Sequence, residues 1–169
     1  MSIHFNINTQ KAIEAVLWII QKGESNLYNI MKILYAAEKY HLNTYGRPIT
    51  GDRYVAMEHG TVPSWIYNTA KVKKPGFGFY RADNLLKAER PADLDYLSES
   101  DIEALGKGFA EYAKSGFEKV RNKNHKDNAW ENAYGKRGDK KAAFIPFEDM
   151  IDKPWLKDDL AVIGQFMDV

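Results

Sequence analysis

MKILYAAEKYHLNTYGRPITGDRYVAMEHGTVP, residues 31–63, holds a helix, a sharp stop and a polar turn punctuated by glycine. Leu34, Tyr35 and Leu42 continue an apolar stripe opened by Leu27, Ile30 and Met31. That spacing predicts a helix over residues 26–43. Gly46 and Pro48 forbid its continuation. Beyond the turn, Tyr54, Val55 and Met57 fit either a short strand or part of a helix, so residues 50–58 stay open. Pro63 suits the first turn of a third helix over residues 64–71, with Trp65, Ile66 and Tyr67 on its apolar side.

Upstream, Asn8 can cap a helix over residues 9–22. Its stripe is Ala12, Ile13, Val16, Leu17 and Ile20, and Gly23 can end it in a left-handed cap. Downstream, residues 73–79 read as a breaker. Residues 85–88 and 94–97 read as short strands that pair across a loop at 89–93. Ser98 and Asp101 fit a capped helix start, though a capping box prefers Glu or Gln at the last place. Ile102, Leu105, Phe109, Tyr112 and Phe117 hold helical spacing to about Val120. Gly106, Gly108 and Gly116 weaken that helix and imply close packing or a break near Ser115. Residues 127–134 read as a short helix around Trp130, residues 135–141 as a mobile loop, and residues 157–167 as a last amphipathic piece after 146–151. The sum is an α+β fold, predominantly helical, in a single domain with a small antiparallel sheet.

The chain has 169 residues, enough to bury roughly 70% of its unfolded surface. It has no cysteine, so neither a disulfide framework nor a thiolate metal site is available. The N-terminus lacks the basic and apolar regions of a signal peptide, and no apolar run approaches the ~20 residues that span a bilayer. A cytoplasmic location without a membrane partner is the expectation. Net charge is +1, but it is uneven: residues 1–113 carry 13 basic and 13 acidic side chains, 114–141 carry 9 and 4, and 142–169 carry 2 and 6. The basic segment is either a solvated face or a dock for an acidic partner.

The motif running from Leu34 to Pro63 resembles the signature of the Panacea domain, the SocA-like antitoxin family of bacterial and phage toxin–antitoxin systems. The residues that carry the likeness are Leu34, Tyr35, Ala37, His41, Leu42, Tyr45, Gly46, Arg47, Pro48, Ile49, Asp52, Tyr54, Ala56, Gly60, Val62 and Pro63. Residues 94–105, 125–133 and 145–150 also look like later steps of that family, while 75–89 match poorly. One departure is Gly60-Thr61-Val62, where the family usually shows Gly-Pro-Val. The resemblance implies one antitoxin domain over residues 1–169, in a bacterial or prophage setting. It implies a protein that silences a cognate toxin by direct binding, with no enzyme activity and no cofactor. Some members instead act as adaptors that hand the toxin to a protease.

Several side chains invite chemistry. Glu38 and His41 have the Glu-x-x-His spacing of helical metal sites, and Asp52 and His59 could complete four ligands in a small metal- or carboxylate-dependent enzyme. The chain lacks the second Glu-x-x-His, and a histidine near a helix end more often hydrogen-bonds locally. Arg47 and Asp52 flank the turn and fit an ion pair that pins it. No G-x-S-x-G stands in the sequence, and no serine is set beside a histidine. Gly76-Phe77-Gly78 lacks the frame of a phosphate loop. Lys119, Arg121, Lys123, His125 and Lys126 cluster near Phe117 and Trp130, but without a recognition helix this argues against nucleic acid as a partner. His41, Gly46, Arg47, Pro48, Asp52 and Tyr54 form the structural motif. Tyr45, Arg47, Phe77, Phe79, Tyr80, Lys136 and Arg137 are the candidate contacts to a toxin. A homo-oligomer and a toxin–antitoxin hetero-oligomer are both compatible with the sequence.

Overall fold

The computed structural model describes residues 3–167. Helix α1 (Thr9–Lys22) starts where the Asn8 side chain accepts from the Lys11 N–H, and it stops at Gly23 in the left-handed region. Helix α2 (Leu27–Tyr45) is capped by Asn26 and stops at Gly46, as the periodicity and the glycine predict. Strands β1 (Tyr54–Met57) and β2 (Gly60–Pro63) form a hairpin, which settles the open segment as a strand. Tyr54 faces Pro63 and Met57 faces Gly60 across this pair. Helix α3 (Ser64–Lys71) follows directly.

A second hairpin joins β3 (Phe79–Ala82) to β4 (Leu85–Ala88). Residues 94–97 are therefore not the partner of 85–88. Leu94–Tyr96 is a 3₁₀ turn, held by the Asp93 carboxylate, which accepts from the Asp95 N–H. The true partner lies on the N-terminal side, across the Asp83–Asn84 turn, where Asp83 adopts φ 55°. An Asp-Asn pair signals a hairpin far less clearly than Asn-Gly.

Helix α4 (Glu99–Tyr112) opens with a full capping box, in which Ser98 and Asp101 each satisfy the other's backbone N–H. Aspartate thus does the work usually given to glutamate. The chain breaks after Tyr112 and resumes as α5 (Phe117–Asn124), so the single long helix becomes two. A Cβ on Gly108 would collide with the Ile33 carbonyl oxygen. That glycine lets α4 lie close against α2, the helix pair with the most extensive contact. Helix α6 (Asn128–Gly135) buries Trp130, whose indole N–H donates to the Met57 carbonyl. Strand β5 (Ala143–Ile145) joins the first sheet in the order β2-β1-β5, antiparallel throughout. Helix α7 (Pro154–Met167) closes the described chain. Among the described residues no helix is long and apolar enough to cross a membrane.

Two apolar clusters share α2 between them. One gathers α1, α3, α4 and the second hairpin against Ile30, Ile33 and Leu34. The other packs the first sheet, α6 and α7 against Tyr35 and Leu42. Helix α2 is thus the central element, with a separate apolar cluster on each of two sides. Phe79, expected as a surface anchor, is only 2% exposed and belongs to the first cluster. Its place at the start of β3 turns it inward onto the core. Phe117, expected in the core stripe, is 46% exposed because the break after Tyr112 resets the helical phase.

The turn after α2 hangs on two buried carboxylates. Glu38 accepts from the N–H groups of Ile49, Thr50 and Gly51 at 3.1, 3.2 and 2.9 Å. Asp52 accepts from the N–H groups of Trp65 and Ile66, each at 3.0 Å. These are orphan donors at the start of α3, where Pro63 offers no capping side chain. The expected Arg47–Asp52 pair is absent, since Asp52 points at α3 while Arg47 Nη2 donates to Ser100 Oγ at 3.0 Å.

Asp52→Ala leaves two buried N–H groups without acceptors, a loss of ~2 kcal/mol or more. For a domain of this size the melting temperature falls by roughly 4–8 °C. An unchanged thermal melt would show that α3 does not depend on this carboxylate.

Candidate functional site

A cleft of about 830 Å³ opens between the start of α2, the tip of the β1–β2 hairpin, the Asp83–Asn84 turn and the chain beyond α6. Its volume falls in the range of small-molecule sites. At its floor is Lys32, 1% exposed. The β1–β2 hairpin packs over its stem at Gly60, so the lysine does not extend into solvent as a surface lysine does. Among the described residues no carboxylate pairs with its Nζ and no acceptor takes a hydrogen bond from it. The ring of Tyr28 lies 4.2 Å from the amine instead. Burial alone pulls the Lys32 amine down from the usual lysine range to about 7.

The hairpin reaches this lysine because of Gly60, at φ 121°. A Cβ there would collide with Asn124 Oδ1 and lie 2.7 Å from Lys32 Cε. Asn124 holds the strand in place by accepting from the Thr61 N–H at 2.7 Å and donating to Thr61 Oγ1 at 3.0 Å. The Gly-Thr-Val sequence therefore keeps the turn with threonine supplying both a donor and an acceptor.

One wall of the cleft is aromatic. The Tyr28 and Phe117 rings are 4.8 Å apart and the His59 and Phe117 rings 5.2 Å. The Tyr28 hydroxyl donates to the His59 carbonyl oxygen, and Arg121 Nε donates to His59 Nδ1 at 3.3 Å. Tyr134 also lines the cleft, with the Arg137 guanidinium 3.7 Å above its ring, as do Lys140 and Lys141. Four cationic residues line the cleft against one acid, Glu58.

A second polar cluster joins α2 to α4. His41 Nδ1 donates to the Arg47 carbonyl at 2.6 Å, so in the neutral ring Nε2 accepts from Ser100 Oγ at 2.9 Å. Chain folding thus sets a serine beside a histidine that lies far from it in sequence. Asp101 Oδ1 approaches the same Nε2, at 3.4 Å, rather than the opposite nitrogen. No carboxylate–imidazole–serine relay is built, and the ring has no exposed surface. Burial lowers the His41 pKa, which keeps the ring neutral. The cluster is a latch, with Lys11 Nζ 2.6 Å from Asp101 Oδ2 fastening α1 to the same point.

The ligand set Glu38, His41, Asp52 and His59 does not assemble. Glu38 and Asp52 bind backbone N–H groups, His41 holds the latch and His59 lines the cleft. Among the described residues no group of three His, Asp or Glu is placed to hold a metal ion. The expected contact residues fall in three places. Tyr45 donates to Glu103 on α4, and Arg47 lies beside it on Ser100. Phe77 and Tyr80 stand at the second hairpin, with Phe77 6.0 Å from Trp65. Lys136 and Arg137 follow α6, and Arg137 alone of the set lines the cleft. Sequence reasoning passed over Lys32. The available signal was a lysine between Met31 and Ile33 in a helix with apolar residues on more than one side.

A family model described as antitoxin SocA-like, Panacea domain, matches residues 30–131. The match runs from the first turn of α2 to the middle of the Trp130 helix and includes Lys32, Gly60 and Phe117. No curated protein and no solved structure gives a significant match to the chain.

Replacing Lys32 with methionine keeps the stem and removes an unpaired buried charge. Lys32→Met is expected to raise stability at pH 7 by on the order of 2 kcal/mol. Between about pH 7 and pH 10.5 the unfolded wild type binds more protons at this site than the folded state. Wild-type stability therefore rises with pH across that window from this term, and the variant lacks the rise. Urea melts of both proteins from pH 6.5 to 10 check this, and parallel curves would refute it.

Proposed function

The chain belongs to the SocA-like Panacea antitoxin family, and on that premise we propose that it neutralises a protein toxin by direct, stoichiometric binding. The family match over residues 30–131 is the observation that carries this reading. The proposed setting is the bacterial cytoplasm, with the toxin gene carried alongside in a prophage or chromosomal pair. The proposed assembly is a toxin–antitoxin hetero-oligomer.

Binding of this kind needs a surface with a few large anchors rather than turnover chemistry. Tyr45 and Trp155 suit that role, at 43% and 60% exposed. They flank the junction of α2 and α7, where Lys153 Nζ donates to the Asn43 carbonyl at 3.2 Å and Leu156 packs by Gly46. Arg47 adds a cation beside Tyr45, and Phe77 and Tyr80 offer a second aromatic contact at the hairpin. Lys136 and Arg137 lie in the basic segment and accelerate encounter with an acidic toxin face.

Co-expression with the neighbouring toxin gene tests the reading. Rescue of growth is expected, and it persists in a host without ATP-dependent proteases. Rescue that disappears in that host would assign the adaptor mechanism instead. Trp155→Ala is expected to weaken toxin binding by ~10-fold or more without shifting the thermal melt, in line with a buried aromatic anchor. Lys136→Ser with Arg137→Ser slows association by up to ~10-fold, most at low salt. Association rates independent of ionic strength in both proteins would return these residues to plain solvated surface.

A further inference from the structure

We propose that the cleft over Lys32 is a binding site for a nucleoside phosphate, with the phosphoryl group on Lys32 and the base against the exposed Phe117 ring. The first observation is the lysine. A buried ammonium without a counter-ion is costly, and folding normally avoids it by pairing or by exposure. Here Lys32 is 1% exposed and faces an open volume rather than packed core. A bound anion supplies the missing partner, and lysine serves phosphate as a point charge.

The second observation is the surroundings. The cleft holds about 830 Å³, more than a single inorganic anion fills. Arg137, Lys140 and Lys141 add positive charge to the lining, available to further phosphate oxygens. Phe117, 46% exposed, lines the cleft with its ring packed on Tyr28, 4.8 Å centroid to centroid. Cations and aromatic rings together suit a ligand that is anionic at one end and planar at the other. An acidic peptide would use the cations but leaves the aromatic wall unexplained. The site is separate from the α2–α7 junction and shares only Arg137 with the proposed toxin contacts, so its test uses Lys32 and Phe117 and does not depend on the toxin-binding reading.

Calorimetric titration of the full chain at low salt tests the assignment, using ADP, GDP, CDP and UDP, with adenosine and inorganic pyrophosphate as partial ligands. At least one nucleoside diphosphate is expected to bind, and to bind ~10-fold or more tightly than either partial ligand. Lys32→Met is expected to lower that affinity by ~30-fold, and Phe117→Ala by ~5-fold, from the lost charge-assisted bond and the lost ring contact. As a readout on the unmutated protein, the bound nucleotide shields Lys32 from an amine-acylating reagent, with the modified lysines read by mass spectrometry. Absence of binding by all four nucleotides to folded protein would overturn the proposal. So would unchanged affinity in Lys32→Met, acylation of Lys32 unaffected by nucleotide, or pyrophosphate binding as tightly as the nucleotides. Binding of acidic peptides at Lys32 in place of nucleotides would overturn it in favour of a protein ligand.

Discussion

The Glu38 carboxylate, buried in the middle of the central helix, holds the backbone of residues 49–51 by three N–H groups. The rest of the fold depends on this contact. Helix α2 ends at Gly46, and the chain must then turn back along it to start β1. A turn buried this deeply loses its hydrogen bonds to water, and each unpaired N–H costs free energy. Glu38 supplies the acceptors from inside the helix. Its own burial raises its carboxyl to about 7, against the lowering effect of the donors. Asp52, three residues after Ile49, repeats the device on α3. Two acids thereby set the direction in which the chain leaves α2 and the place where α3 begins.

The polar side chains of α2 divide by what they meet. Glu38 is saturated by backbone donors. His41 is held by a carbonyl and a hydroxyl. Both are spent on structure, so their Glu-x-x-His spacing carries no metal chemistry here. Lys32 has the same helix and the same burial but faces a cleft, with only a tyrosine ring beside its amine. The fold completes the bonding of Glu38 and His41 from its own groups and leaves the Lys32 amine without a hydrogen-bond acceptor among the described residues.

Much of the fold was legible from local patterns. The bounds of α1, the stop at Gly46 and the capping box at Ser98 follow from the cap residues and the apolar period, which act within a few residues, whereas the acceptor that caps α3 comes from the more distant Asp52. The errors came where two readings had equal local support. Residues 94–97 have strand-like composition, yet an Asp93 side chain bends them into a 3₁₀ turn. Phe79 and Phe117 exchanged their expected roles, because exposure depends on which neighbour an element meets and on where a helix breaks. The Arg47–Asp52 pair looked sound by charge and spacing, but a better acceptor role for Asp52 lay at the start of α3.

Local sequence set α1, α2 and their stops, the capped start of α4 and the signature that carries the family likeness, since these rest on backbone preferences and on spacing within one element. Only the tertiary structure decided what each buried polar group does. Burial of Lys32 requires the β1–β2 hairpin, brought close by Gly60. The contact of Ser100 with His41 requires α4 to cross α2 at Gly108. Desolvation and hydrogen-bond partners are properties of the packed assembly, and elements distant in the chain contribute most of both.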